Sequence, residues 1–283
     1  MKKLMQWTYF LDILGYGKEQ KKINNQKKAD DFMNFMKYCK ERIIEEEAIH
    51  KEFDSSGEFN FYDYYEIKFV FISDSFVLTA IPKKTEFNDY DYYNYSAYAI
   101  IELTQRIWSF IQHVLNEKGL VIRGGISNKF TDIDTESSLA VGQGLIEAYK
   151  LESDYSNPRI LLSKDISTDE SLMKCFDELS KEGGSNFSLF LKDEDGMYYL
   201  NYLGFMLVPF RGDYEPFEEL IIKFFKKLKK EIKSNLEKYQ DSKDDKEIDI
   251  YNKYVWLKGY HNSTIENFKD LSFIEHCKIN SDT

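Results

Sequence analysis

The chain has 283 residues, of which 42% are hydrophobic and 16% aromatic, so it can build a sizeable core. Its net charge of −11 disfavours a broad nucleic-acid interface, which needs a basic surface, but it allows a nucleotide substrate whose charge a divalent cation offsets. No run approaches the ~18 apolar residues of a membrane span, and the first residues are too few and too polar for a secretory signal. The three cysteines show no CxxC spacing, which favours reduced thiols. We therefore expect a cytoplasmic protein without a membrane or nucleic-acid partner.

The first half of the chain alternates between apolar runs typical of strands and periodic segments typical of helices. The clearest helix carries an apolar stripe that includes Ile100, Ile107 and Val114, and Gly119 ends it. In chain order, the predicted elements are a strand at 7–14, a helix at 22–47, strands at 65–72 and 75–81, an acidic Tyr-rich loop at 88–95 and a helix at 97–117.

The second half continues with shorter elements and ends in helices. The predicted elements are a strand at 120–127, a polar loop at 132–138, a helix at 142–152, a strand at 158–162, a helix at 165–182, hairpin strands at 187–192 and 197–202, and helices at 215–240 and 251–268 around a charged break at 241–246. The order β, α, β-hairpin, α, β, α, β fits an α+β domain of ferredoxin-like or palm-like type, with helices on one face of a sheet. We predict a main domain over 1–212 and a C-terminal helical appendage over 213–283.

Two aspartates are the strongest indication of chemistry. Asp12 ends an apolar run and is followed by Gly15 and Gly17, and Asp74 lies between two apolar runs. A strand that ends in Asp beside a hairpin tipped by Asp can place two carboxylates at one edge of a sheet. Hard oxygen ligands of this kind hold Mg²⁺ or Mn²⁺ on a nucleoside triphosphate. Each aspartate alone is more often a cap or turn residue, but together with the glycines they favour a metal site.

Five segments in order resemble the motifs of class III nucleotidyl cyclases, over roughly residues 7–165. They are Phe10–Tyr16 (similar to F-x-D-I-x-G-F), Ile72–Phe76 (I-G-D-A-Y), Arg123–Ser127 (R-I-G-I-N), Gly142–Ser153 (G-D-T-V-N-x-A-x-R-L-E-S) and Pro158–Leu161 (G-R-I-x-V). The resemblance implies the class III fold, with residues 1–212 as the catalytic domain. It also implies the conversion of a nucleoside triphosphate into a cyclic nucleotide and pyrophosphate.

The resemblance also assigns roles to residues. Asp12 and Asp74, with the carbonyl of Ile13, would hold two Mg²⁺ or Mn²⁺ ions per site. The phosphates would lie against the backbone amides of Leu14, Gly15, Tyr16 and Gly17. Class III cyclases are head-to-tail homodimers with shared active sites, so Lys150 of a second chain would replace the family's transition-state arginine. Arg123 fits either a triphosphate contact or a buried salt bridge with a core acid, and Lys192 is a candidate phosphate ligand by position only.

The chain departs from the purine-specific members at the positions that contact the base. Val70 replaces a base-reading lysine and Gln143 a base-reading acid, while Ile146 replaces the helix asparagine and Lys129 a glycine. The chain keeps the two aspartates of the metal site and lacks the residues that contact a purine base. In this respect it resembles the pyrimidine cyclases of Pycsar antiphage defence, which make cyclic UMP or cyclic CMP. The alternatives are a degenerate cyclase fold that binds a nucleotide without turnover, and a synthase of a cyclic di- or oligonucleotide. A purely structural scaffold would make the two aspartate motifs a coincidence.

Overall fold

A mixed seven-stranded sheet lies at the centre of the structure, a computed structural model that describes residues 2–53, 60–83, 86–182, 187–211 and 217–280. The strands are β1 (Lys2–Lys3), β2 (Trp7–Leu14), β3 (Tyr65–Ile72), β4 (Ser75–Pro82), β5 (Glu86–Phe87), β6 (Val121–Ser127), β7 (Asp132–Asp134), β8 (Leu139–Val141), β9 (Ile160–Leu162), β10 (Phe190–Lys192) and β11 (Tyr198–Leu200). The order in the sheet is β10-β11-β9-β6-β2-β4-β3. Strand β2 is antiparallel to both β4 and β6, and β6 is parallel to β9.

Helices connect these strands and complete the chain. They are α1 (Tyr16–Gln20), α2 (Gln26–Phe53), α3 (Phe61–Tyr64), α4 (Asp89–Lys118), α5 (Gln143–Ser153), α6 (Lys164–Ser167), α7 (Glu170–Glu182), α8 (Tyr202–Phe205), α9 (Glu218–Tyr239) and α10 (Asp245–Asn267), with 3₁₀ turns at Val208–Arg211 and Ser272–Cys277. The described strands and helices confirm the predicted α+β class. None of the described helices has the length and apolarity needed to cross a membrane.

Helices cover both faces of the sheet, so the prediction of helices on one face is wrong. Side chains alternate along β2, and Trp7, Tyr9 and Leu11 enter the large core shared with α4. Phe10 points the other way and packs in a small apolar cluster with Ala148 of α5. The face with Phe10 also carries Asp12, two residues further along the strand.

The Tyr-rich segment at 88–95 forms the first turns of α4 rather than a loop. Asn88 caps the helix, because its side-chain oxygen accepts a hydrogen bond from the amide of Asp91 at 2.9 Å. Helix α10 likewise begins inside the predicted charged break, where the Asp244 carboxylate accepts from the amides of Lys246 and Glu247. In both places acidic residues and an Asn or Asp cap indicated a helix start, whereas their polarity suggested a loop.

Other predicted bounds also differ from the structure. The helix predicted at 22–47 is α2, which begins later, at Gln26, because Asn25 caps it by accepting from the amide of Lys28 at 3.0 Å, and which continues to Phe53; α1 was not predicted. The polar loop at 132–138 contains β7 and turns back into β8, the helix at 165–182 is divided between α6 and α7, and α3 was not predicted. The predicted helix at 215–240 is α9, and its residues 215 and 216 lie outside the described part of the chain.

Helices α9 and α10 pack against each other, and we call them the C-terminal helical pair. Helix α9 also packs on α4. Buried side chains of the pair, such as Phe225 and Leu257, belong to the same apolar core as the main face of β2. The pair therefore shares its core with the sheet.

Candidate functional site

Asp12 and Asp74 meet at one edge of the central sheet. Asp12 lies on β2 opposite Ser75 of β4, and Asp74 immediately precedes Ser75 in the turn between β3 and β4. The amide of Ile13 donates to the carbonyl oxygen of Asp74 at 3.3 Å. Ser73, at the other turn position, has a positive φ of 59°, so the turn is tight. The sheet register therefore brings the two predicted acids together.

Arg123 joins Asp12 to a third carboxylate that sequence reasoning missed. Its Nε donates to Asp12 Oδ2 at 3.1 Å, and its Nη2 contacts Glu152 Oε1. The side chain of Glu152 is 5% exposed. The signal for Glu152 was its spacing of four residues after Ala148, on the side of α5 that meets the sheet. Of the two interpretations left open for Arg123, the structure contains the salt bridge with a buried acid.

Negative charge exceeds positive charge in this cluster. Burial raises the pKa of Asp12, the neighbouring Arg123 opposes that rise, and the charge of Asp74 adds to it. Burial also raises the pKa of Glu152, again against Arg123 and with Asp12 and Asp74 adding to the rise. Two carboxylates thus share one guanidinium with the charge of Asp74 nearby, and a divalent cation at this edge would relieve the repulsion among the three acids.

The oxygen atoms at this edge suit a Mg²⁺ site that water and substrate complete, rather than a metal site built only from protein ligands. Within the described residues, no group of three or more His, Cys, Asp or Glu side chains has the arrangement of a metal cage. Mg²⁺ in nucleotide enzymes is usually bound by one or two carboxylates, water and the phosphates of the substrate. Asp12 and Asp74, with a backbone carbonyl such as that of Ile13, match that smaller set.

The segment Leu14–Gly17 turns the chain from β2 into α1 beside these acids. Gly15 has a φ of 93°, and a Cβ there would lie 3.2 Å from Leu120 Cδ2, so glycine is strongly favoured. Its carbonyl accepts from the amides of Lys18 at 2.9 Å and Glu19 at 3.4 Å, whereas the amides of Tyr16 and Gly17 donate no backbone hydrogen bond to the described residues. Burial raises the pKa of the Tyr16 hydroxyl, the Ser73 side chain opposes that rise and the charge of Asp74 adds to it, so the hydroxyl lies near the Asp74 turn.

A basic groove of about 880 Å³ lies between α5 and the β10–β11 hairpin. Lys129, Lys150, Lys164 and Lys192 line it, together with Gln143 and the acids Glu147, Asp154 and Asp195. Lys129 is paired with Glu147 and Asp165, and Lys192 lies over the Tyr198 ring. Neither Lys150 nor Lys164 forms an ion pair within the described parts of the chain. On a protein with a net charge of −11, these two lysines are the part of the groove suited to an anion.

The predicted site residues therefore lie in two separate regions of one chain, the sheet edge with the aspartates and the groove. Asp12, Asp74 and Arg123 come together with the Leu14–Gly17 segment, whereas Gln143 and Lys150 line the basic groove, which neither aspartate lines. Val70 is 5% exposed and packs with Phe10, Val77 and Ile133. It is therefore too buried to contact a base in this arrangement.

An exposed apolar patch lies next to the groove. It consists of Phe130, Leu139, Val141, Ile146 and Tyr149, each more than half exposed. These residues belong to α5 and to the chain around the β7–β8 hairpin. Such a patch is typical of a protein interface.

The site offers two close carboxylates, a glycine turn with free amides, and a separate groove with two unpaired lysines among its described residues. That combination can bind a polyanion through a divalent cation and backbone amides. A scan of the sequence against models of known protein families gave no match, and a search of curated proteins gave none either.

Proposed function

We propose that the chain is a nucleotide cyclase of the class III type. It would convert a nucleoside triphosphate, by preference UTP or CTP, into a 3′,5′-cyclic nucleotide and pyrophosphate. The observation that carries the proposal is the meeting of Asp12 and Asp74 beside the Leu14–Gly17 segment at the end of β2. The β, α, β-hairpin, α, β, α, β order around an antiparallel β6-β2-β4 centre supports the palm-like assignment.

The chain's own residues have distinct tasks in this reaction. Asp12, Asp74 and the Ile13 carbonyl would hold Mg²⁺ or Mn²⁺, which when bound neutralises the triphosphate and favours ionisation of the ribose 3′-hydroxyl. The amides of Leu14–Gly17 would orient the phosphates. The 3′-oxygen attacks the α-phosphorus, the bond from that phosphorus to the bridging oxygen of the β-phosphate breaks, and pyrophosphate leaves. Arg123 keeps Asp12 oriented through its Nε contact.

The proposed active site is shared by two chains. Lys150 and Lys192 line a basic groove that is separate from the aspartates of their own chain, so a second chain has to supply them. The exposed apolar patch beside that groove supports a homodimer, because contact with a partner would cover it. In the dimer, the lysines of one chain would stabilise charge on phosphates bound at the aspartates of the other.

The preference for a pyrimidine is the most specific part of the proposal. Val70 is an apolar, buried side chain, and Gln143 carries no charge, so neither reproduces the purine-reading pair of the adenine-specific cyclases. The resemblance to the Pycsar enzymes adds a cytoplasmic role, in which the product is a second messenger of antiphage defence.

The decisive experiment incubates the purified protein with each of the four ribonucleoside triphosphates and Mn²⁺. Pyrophosphate release and product mass are measured, with Asp12→Asn as the inactive control. A cyclic mononucleotide from UTP or CTP supports the proposal. A product with the mass of a cyclic di- or oligonucleotide would replace it with the alternative synthase activity.

One observation favours a second candidate, a nucleotide-binding module without turnover. Arg123 already pairs with Asp12, and Ile146 and Lys150 stand where the family has an asparagine and an arginine. Lys150 keeps the charge but not the forked geometry of arginine. Metal-dependent binding of a triphosphate without pyrophosphate release would select this candidate.

A further inference from the structure

The C-terminal helical pair contacts two elements on which the proposed triphosphate site depends. One contact reaches α1, next to the Leu14–Gly17 segment, and the other reaches the β10–β11 hairpin, which forms a wall of the basic groove. We propose that the pair fixes both elements, with Tyr239 and Trp256 as positioning residues. This inference rests on the proposed function for its effect on the reaction.

Helix α1 is weakly anchored by its own residues. It has five residues, none of them buried, and its N-cap residue Gly15 provides no side-chain hydrogen bond. Tyr16 packs edge-on against Phe32, with ring centroids 5.2 Å apart. A helix this short depends on tertiary contacts for its position.

Tyr239, the last residue of α9, supplies one such contact. The Lys18 ammonium donates to the Tyr239 hydroxyl at 2.9 Å and lies 4.9 Å from the centre of its ring. Lys18 and Lys238 lower the pKa of the Tyr239 hydroxyl, because a nearby ammonium favours the phenolate. Lys18 is the residue that follows the Leu14–Gly17 segment, so this contact fixes the chain where the phosphates would bind.

The β10–β11 hairpin is also weakly anchored by its strands. Each strand has three residues, and β10 lies at the edge of the sheet. Below the turn, the buried Arg159 contacts the carboxylates of both Asp193 and Asp195. The turn supplies Asp195, Gly196 and Met197 to the groove. Its position therefore affects the shape of the groove.

Trp256 of α10 completes the support of this turn. Its indole Nε1 donates to Asp193 Oδ2 at 2.7 Å, so the Asp193 carboxylate has donors from both Arg159 and α10. The Trp256 ring also packs against Tyr199 of β11, with ring centroids 5.4 Å apart. A hydrogen bond to a carboxylate is stronger than one between neutral groups, and that of Asp193 is largely shielded from water, so the indole N–H restrains the turn.

Conservative variants separate positioning from folding. Tyr239→Phe removes only the hydroxyl that Lys18 contacts, and Tyr254→Phe is its matched control, because the hydroxyl of that α10 residue makes no hydrogen bond within the described residues. Trp256→Phe keeps a ring against Tyr199 and removes the indole N–H. Its control is Trp108→Phe, since the buried indole N–H of Trp108 has no hydrogen-bond partner among the residues that the structure describes.

The first readout is amide hydrogen exchange in the full-length protein. Tyr239→Phe should speed exchange in α1 and leave the hairpin unchanged, whereas Trp256→Phe should speed exchange at 192–198 and leave α1 unchanged. The two control variants should exchange like the wild type in both regions. If α1 and residues 192–198 exchange in Tyr239→Phe and Trp256→Phe at the same rates as in the wild type, the proposal is overturned.

The second readout is the kinetics of pyrophosphate release. Each positioning variant should raise the KM for the triphosphate about three- to tenfold, the range of one lost hydrogen bond, with a smaller change in kcat. Lys18→Met should match Tyr239→Phe, and the double variant should lose no more than either single one. Additive losses would contradict the Lys18–Tyr239 coupling. Faster exchange in a protein that turns over no triphosphate would contradict the proposed function while supporting the two anchoring contacts.

Discussion

At the residue scale, Asp12 and Glu152 bear an unfavourable charge balance. Burial raises the pKa of both carboxyl groups, so the folded protein binds their protons more tightly than the unfolded chain does. Their contribution to stability therefore falls as pH rises above the ordinary carboxyl range. Such acids therefore destabilise the folded protein at neutral pH, as functional residues often do. The function proposed for these acids is cation binding.

Asp12→Asn separates the functional from the structural interpretation. Because the variant leaves Arg123 paired with Glu152 and removes one of three mutually repelling acids, its free energy of unfolding at neutral pH should be no more than about 0.5 kcal/mol below that of the wild type. Pyrophosphate release should be lost. Chemical denaturation and the pyrophosphate assay measure the two effects, and exposed Asp63→Asn is the control that should change neither. A loss of stability above about 2 kcal/mol would make Asp12 a structural residue.

His261 should make the stability of the protein sensitive to acid. It is fully buried, its Nε2 donates to the Cys277 carbonyl at 3.0 Å, and burial lowers its pKa to about 4. The unfolded chain takes up the proton near pH 6.5 and the folded protein only near pH 4, so stability falls as pH drops through that window. We expect His261 to account for a loss of about 2 kcal/mol between pH 7 and pH 5.

Urea unfolding at pH 7 and at pH 5 measures this effect. His261→Gln should show a smaller loss than the wild type, whereas His276→Gln, at an exposed position, should show the wild-type loss. An equal loss in all three proteins would contradict the assignment to His261.

At the element scale, Gly125 limits how closely α5 approaches the sheet, and the adjacent Gly124 lies against strand β2. A Cβ on Gly125 of β6 would lie 2.3 Å from the Ala148 carbonyl oxygen and 2.7 Å from Leu151 Cβ. A Cβ on Gly124 would lie 2.2 Å from the Phe10 carbonyl oxygen. Glycine in a strand often marks such a close approach. Gly125 therefore sets the distance at which Glu152 of α5 reaches Arg123.

Gly125→Ala should displace α5 and destabilise the protein by about 1–3 kcal/mol, the usual cost of overpacking. The matched control is Gly259→Ala in α10, where nothing lies within 4 Å of the added Cβ. That control should stabilise the protein by about 0.5–1 kcal/mol, since alanine favours the helix. Thermal and chemical denaturation measure both changes. Equal effects of the two substitutions would show that α5 does not rest on Gly125.

At the scale of the whole molecule, a shared site makes two inactive chains complementary. In a mixture of Asp12→Asn and Lys150→Ala chains, half of the dimers combine both types, and one of their two sites has both native residues. Random exchange should restore about a quarter of the wild-type activity. Each variant alone is the control and should stay inactive. Absence of recovery after verified exchange of subunits would place Lys150 and Asp12 in separate roles.

Features that depend on neighbouring residues were predicted more accurately than features that depend on distant ones. Helix α5 and strands β2, β3, β4 and β6 were predicted within a residue or two, because their periodicity and their Gly and turn residues act locally. The meeting of Asp12 with Asp74 followed from the same local patterns. At the starts of α4 and α10, the capping residues Asn88 and Asp244 indicated a helix, but the polarity of the surrounding residues led to the prediction of a loop.

The sequence alone determined the α+β class, the positions of the two aspartates at strand ends and the glycine turn after Asp12, because each depends on neighbours within a few residues. Only the tertiary structure showed that Glu152 joins Arg123 at Asp12, that Val70 is buried, and that Lys150 lines a separate groove. It also placed Tyr239 against Lys18 and Trp256 against Asp193. These contacts join residues far apart in the chain, and no local pattern records them because they arise only when the elements pack together.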